Sequence, residues 1–376
     1  MSSSVAVKPA PSQLKATQPK RKARKLPPGQ RLLRYIGLSS ILLLALGGST
    51  YIHLGPKAVG GETGSAGSAE AAIAPPPITL TQDLDQLQSK LVQCAAVKAL
   101  KAGIFVTDQS TGRYVNVNGH DAFPAASMIK LPVYVALLEA IDRGTVKPDQ
   151  MLEIRQDLVT GGSGWLQWRP VGSKISVRDT AELMIIISDN TATNMIIDLL
   201  GGKEACNREF QNWGLERTHI ANWLGDFEGT NTTSPYDLVY LLARVDRGEL
   251  ISPDSKKWMY QVMGRTKIRT LLPPGLGPGA KIAHKTGDIG CMVGDVGIVT
   301  APTGQKYFVS VQVQRPHNDR RANLLIRGLS RMIYQCFSTP TADGAQIAEL
   351  PGDCQGGTPA GPGRPVHHSR HHHHHA

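Results

Sequence analysis

The chain lacks any C-x-x-C pair among its five cysteines, Cys94, Cys206, Cys291, Cys336 and Cys354. Metal ligation through cysteine therefore has no support, and neither a metal nor another cofactor is expected. Excess charge is missing from most of the sequence as well. The formal net charge is +11, but residues 1–34 alone carry nine basic side chains and no Asp or Glu. The other 342 residues carry only +2, which argues against a nucleic-acid-binding body. Outside a run in the last ten residues, histidine is limited to His53, His120, His219, His284 and His317. None of these is marked as the partner of a catalytic thiol. The odd cysteine count leaves at least one thiol unpaired within the chain, and the spacing fixes no connectivity.

Residues 1–34 read as a basic cytoplasmic arm, and residues 35–54 contain no Lys, Arg, Asp or Glu. A helix of that length, rising about 1.5 Å per residue, spans a hydrocarbon core of roughly 30 Å. The cations before it and the absence of any after it until Lys57 place the N-terminus in the cytoplasm. A cleaved secretory signal is the competing reading, because the densest apolar core is short and Gly47-Gly48-Ser49 are small. Either way the bulk of the chain is exported, as a membrane-anchored periplasmic or otherwise extracytoplasmic domain or as a secreted one. Residues 55–80 form a Gly/Ala/Ser/Pro-rich linker. Residues 339–376 form a Pro/Gly/His-rich tail with too little apolar surface to offset its ordering entropy. Residues 81–338 are one domain's worth of chain, ample for a core.

Periodicity within that domain predicts helices over 83–100, 127–143, 177–200 (interrupted at 188–190), 203–213, 235–247, 252–263 and 318–336. Strands are expected over 103–108, 113–117, 281–285, 292–299 and 306–314. Strands at both ends with helices between indicate an α+β fold. One antiparallel sheet is built from the N- and C-terminal segments, flanked by helices, and an all-helical lobe is inserted. A cleft between the lobes is the natural place for a site.

Three short motifs fall along this architecture. Ser127-Met128-Ile129-Lys130 is S-x-x-K, a pattern that also occurs, stranded in the basic arm, at Ser12-Gln13-Leu14-Lys15. Context separates the two: Ser127 opens an apolar helix after Phe123-Pro124, so Ser127 and Lys130 share a helix face near an N-terminus that favours negative charge. Alone, the same letters suit a helix-starting serine and a surface lysine. Ser188-Asp189-Asn190 and Lys285-Thr286-Gly287 each occur once, in that order. Singly they read as a capping break and a strand-end turn; together, one per structural slot, they point to a site.

The set S-x-x-K, S-D-N, K-T-G resembles that of class A β-lactamases and penicillin-binding proteins. The similarity covers residues 83–336. It is reinforced by Ser110-Thr111-Gly112-Arg113 after the first strand, by Phe123-Pro124 and by Thr233-Ser234-Pro235. This resemblance implies the β-lactamase/transpeptidase-like fold with a five-stranded sheet. It also implies Ser127 as acylated nucleophile, Lys130 as its base, Ser188 as proton relay to the leaving nitrogen and Asn190 as ligand of a substrate amide. Lys285 and Thr286 would bind the terminal carboxylate beside Gly287, and the N–H groups of Ser127 and Asp288 would form the oxyanion hole. An alcohol needs a base to attack, and Lys130 serves only if burial and a neighbouring cation such as Lys285 depress its pKa.

One departure from class A β-lactamases stands out. Their loop resembles T-R-L-D-R-W-E-P-x-L-N, whose Glu activates the deacylating water; here Thr218-His219-Ile220-Ala221-Asn222-Trp223-Leu224-Gly225-Asp226 puts Leu224 in its place. Asp226 and Glu228 are out of register as substitutes. Losing a general base costs roughly 10²–10⁴-fold in the step it serves. In this the chain is similar to the cyanobacterial penicillin-binding protein A group of D,D-peptidases, which implies action on peptidoglycan stem peptides ending in D-Ala-D-Ala, with β-lactams as covalent ligands. The alternatives are a β-lactamase with an improvised base and an inactive wall-binding homologue. The stretch 161–167 is either a cleft-edge loop or an exposed turn.

Overall fold

The computed structural model describes residue 78 and residues 80–338. The expected basic arm, apolar segment and tail, and nearly all of the linker, lie outside the described residues. In chain order, strand β1 (Gln82–Asp83) and helix α1 (Asp85–Ala95) precede the hairpin β2 (Lys101–Asp108) and β3 (Arg113–Val117). Strand β4 (Phe123–Pro124) leads through a 3₁₀ turn (Ala126–Ile129) into α2 (Lys130–Asp142). The strands β5 (Met151–Glu153) and β6 (Lys174–Ser176) precede α3 (Val177–Ile186), α4 (Asn190–Leu199) and α5 (Lys203–Asn212). Strand β7 (Thr232–Thr233), α6 (Pro235–Asp246) and α7 (Pro253–Gly264) follow. Strands β8 (Lys281–Ile289), β9 (Met292–Thr300) and β10 (Lys306–Gln314) and helix α8 (Arg321–Phe337) complete the domain.

Period-two alternation in the strands divides the core in two. Ile104 and Val106 of β2 join Leu87 and Leu91 of α1 and Leu325 and Leu329 of α8. Phe105, between them, joins Val296, Phe308 and the helical lobe on the other side. The sheet order is β1-β3-β2-β10-β9-β8. The five expected strands are mutually antiparallel, and β1 adds a two-residue parallel edge on β3 that the sequence reading did not foresee. Helix α2 runs through the lobe with ten of its thirteen residues buried, the all-round apolar character of a core helix. Burying each Leu, Ile or Val there contributes about 1.5–3 kcal/mol. Pro132 stands in its first turn, where N–H groups have no intrahelical partner to lose.

The remaining boundaries follow local chemistry. Side chains of Ser176, Asp189, Ser234 and Ser252 accept the capping N–H bonds of α3, α4, α6 and α7, satisfying otherwise orphan donors. The helix expected over 83–100 ends at Ala95, because the chain must reverse into β2 and does so through Ala99 at φ +68°. The expected five-residue strand over 281–285 extends to Ile289, so Lys285-Thr286-Gly287 lies within a strand rather than at its end.

Candidate active site

The three motifs meet where α2 starts, where α3 gives way to α4, and along β8. Ser127 sits on the 3₁₀ turn, behind Ala126 at φ +44°. Ser188 itself has φ +61°. Left-handed backbone is costly for residues other than glycine and concentrates at functional sites.

Lys130 and Lys285 are both fully buried. Lys130 Nζ lies within hydrogen-bond distance of Ser127 Oγ at 3.0 Å, Ser188 O at 2.6 Å, Ser188 Oγ at 3.0 Å and Asn190 Oδ1 at 2.7 Å. Lys285 Nζ reaches Ser188 Oγ at 3.0 Å and Thr286 O at 2.7 Å. The result is a continuous chain of proton-exchanging groups, Ser127–Lys130–Ser188–Lys285. Burial pushes Lys130 well below its ordinary value, the Lys285 ammonium adds to the effect and Asp189 opposes it. Burial brings Lys285 down to about 7, against a smaller opposing pull from Asp295. A neutral amine within hydrogen-bond reach of a serine hydroxyl can take its proton.

The Ser188-Asp189-Asn190 segment is held from both sides. Asp189 Oδ2 accepts from the N–H groups of Trp165 and Leu166 at 2.8 and 2.9 Å, and Oδ1 caps α4 through Ala192 N–H at 2.9 Å. Asn190 N–H donates to Ser163 O at 3.0 Å. Residues 161–167 are therefore a loop docked on this motif, the cleft-edge alternative. Asn190 uses both ends of its amide internally, Oδ1 for Lys130 and Nδ2 for Gly161 O at 3.0 Å.

Thr286 is buried. A Cβ at Gly287 would lie 3.0 Å from Ala126 Cβ and 3.1 Å from Ser127 N. Glycine here gives β8 its close approach to the serine and serves no turn, since its φ is not positive. The Asp288 carboxylate is engaged by the buried Arg315 guanidinium, which also donates to Asn323 Oδ1 at 3.0 Å and Ile289 O at 3.1 Å. Sequence reading missed Arg315, and also the fully buried pair of His284 Nδ1 and Asp295 Oδ1 at 2.9 Å.

Leu224 is buried in the apolar core of the lobe, and asparagines fix the loop that carries it. Asn207 exchanges two bonds with the backbone of Ile220, at 2.9 and 2.8 Å. Asn231 Oδ1 accepts from Ala221 and Asn222 N–H at 2.8 and 2.9 Å. Asn194, one turn after Asn190, accepts from Leu224 N–H at 2.8 Å. Asp226 is spent within the same loop, accepting from Thr230 and Asn231 N–H at 3.1 and 2.8 Å and from Thr230 Oγ1 at 2.7 Å. Glu228 is exposed. Replacing Asn231 by Ala removes two hydrogen bonds to partly exposed backbone N–H groups, about 0.5–1.5 kcal/mol each, and is expected to lower the thermal midpoint by a few degrees.

Among the described residues no cluster of His, Cys, Asp or Glu suits a metal ion, and no helix is long and apolar enough to cross a membrane. Cys94 is disulfide-bonded, and Cys206, Cys291 and Cys336 are free.

Known proteins place this geometry. A solved structure described as PBP-A is 48% identical, with a TM-score of 0.68, covering 69% of this chain and 99% of its own. A leucine-to-glutamate mutant of PBP-A, solved as an acyl-enzyme complex with penicillin G, is also 48% identical with a TM-score of 0.68, covering 70% and 98%. Among curated relatives, a β-lactamase of Bacteroides uniformis is 25% identical over 289 residues, which is 69% of this chain and 94% of that protein. Because the model described as "Beta-lactamase enzyme family" matches residues 83–337, well over half of the sequence, the chain belongs to the β-lactamase enzyme family.

Proposed function

We propose that the chain is a penicillin-binding serine D,D-peptidase that acts on peptidoglycan stem peptides ending in D-Ala-D-Ala. We further propose that residues 35–54 tether it to the membrane with the catalytic domain outside the cytoplasm. One observation carries the peptidase reading. The proton chain around Ser127 is intact, while Leu224 is apolar and buried and Asp226 is tied into its own loop.

In this mechanism neutral Lys130 takes the Ser127 proton as Oγ attacks the scissile carbonyl. The N–H groups of Ser127 and Asp288 receive the oxyanion. Ser188 passes a proton to the departing nitrogen, and Lys285 with Thr286 holds the substrate's terminal carboxylate. With a stem peptide the leaving D-alanine diffuses away, and water or an amine takes the acyl group. With a β-lactam the leaving nitrogen stays attached, and the ester waits for a base that the loop does not offer. PBP-A, at 48% identity, supports this reading; the β-lactamase names of more distant relatives favour the alternative of β-lactam hydrolysis. Incubation with D-Ala-D-Ala pentapeptide and mass spectrometry of the products tests it: loss of the terminal D-alanine supports the peptidase, and an untouched peptide beside rapidly hydrolysed penicillin contradicts it.

The second-order rate constant of acylation is expected to trace a bell in pH. On the acid side Lys130 gains a proton and ceases to be a base. On the alkaline side Lys285, brought down to about 7 by burial, loses the charge that holds the carboxylate. The two lysines share Ser188 Oγ, so the limbs belong to the pair. Stopped-flow acylation that rises monotonically through about pH 9 would contradict this assignment.

A further inference from the structure

A second groove, of about 440 Å³, is bordered by Trp165, Arg169 and Lys174 and lined by Leu183 and Ile186 of α3. Trp165 is 44% exposed and the neighbouring Trp168 80%, although indole rings are usually found covered. The Arg169 guanidinium lies over the Trp165 ring, 5.9 Å from its centre. The acids of the groove are already engaged: Glu182 pairs with Arg265 at 2.6 Å, and Asp179 accepts from Ser176 Oγ at 2.7 Å. Neither Arg169 nor Lys174 has a carboxylate partner among the described residues. An exposed indole beside unpaired N–H donors suits a ring with one C–H face and a rim of oxygen acceptors.

The groove is tied to the acylation site by a short path. Trp165 N–H donates to Asp189 at 2.8 Å, and Ser188, the preceding residue, meets Lys130. A stem peptide of four or five residues spans about 15 Å when extended. We propose that this groove binds an N-acetylated amino sugar of the glycan to which the stem peptide is attached, stacking it on Trp165 and hydrogen-bonding its oxygens to Arg169 and Lys174. This inference rests on the peptidase reading and narrows its substrate to glycan-linked peptide.

Calorimetric titration of the full chain with the N-acetylglucosamine tetramer tests the groove without any turnover. Saturable binding is expected, weakened at least tenfold by Trp165→Ala and by Arg169→Ala and retained by Trp165→Phe, with thermal unfolding reporting that each variant is folded. No saturable heat up to about 10 mM sugar, or binding indifferent to both alanine variants, overturns the proposal, whether or not peptides are cleaved. Occupation of the groove by a second copy of the chain, seen as a dimer that Trp165→Ala dissociates and that excludes the sugar, overturns it too. Sugar binding lost with Trp165 while no pentapeptide is cleaved sustains the subsite and refutes the peptidase reading instead.

Discussion

Exchanging Leu224 for glutamate is expected to shorten the lifetime of the penicillin adduct on Ser127 by on the order of 10²-fold, toward the lower end of what a general base contributes. Asn194, Asn207 and Asn231 pin the backbone from Ile220 to Leu224, so a new carboxylate enters on a fixed main chain. The gain falls short of the upper end because the pocket was shaped around an apolar side chain. Burying a carboxylate there also raises its pKa, so the benefit should grow with pH as the glutamate ionises. Losing the buried leucine removes about 1.5–3 kcal/mol of burial, and a lower thermal midpoint should accompany the change. Release of labelled penicilloyl product, followed after removal of free antibiotic, measures the lifetime; an unchanged lifetime in a folded variant would show that Leu224 does not occupy the position of the missing base.

Replacing Lys130 by methionine is expected to slow acylation by about 10²–10⁴-fold, and Ser127→Ala is expected to abolish labelling by fluorescent penicillin. Methionine fills much of the lysine's volume in a fully buried site, so the domain should fold. It removes the donor bonds to Ser127, Ser188 and Asn190 together. Part of the loss comes from freeing Ser188 and Asn190, because coupled groups do not contribute additively. A Lys130→Met protein that acylates within a few-fold of the parent would transfer the role of base to another group, Lys285 foremost.

Much of this site was legible in the sequence because its chemistry is carried by adjacent letters. Ser127 and Lys130 are one helical turn apart, and Ser188 to Asn190 and Lys285 to Gly287 are contiguous. The strands were legible where β-branched and aromatic residues are dense, as in β2 and β10. The extent of β8 was not, since Thr286-Gly287-Asp288 has the composition of a turn; the close approach to Ser127 accounts for a glycine in a strand. Partners distant in sequence were also invisible. Arg315 holds Asp288 from 27 residues away, and Asn207 and Asn231 act on a loop whose letters give no sign of them. Asn194 did leave a trace, four residues after Asn190 on the same helix face.

The central claim is that this chain forms an ester at Ser127 readily and lacks the means to release a β-lactam from it by water. Intact-protein mass spectrometry after mixing with equimolar benzylpenicillin measures both steps at once. The account predicts one equivalent of covalent penicillin, lost by Ser127→Ala, that persists long after free antibiotic is gone. Rapid disappearance of the adduct with release of penicilloic acid would contradict it.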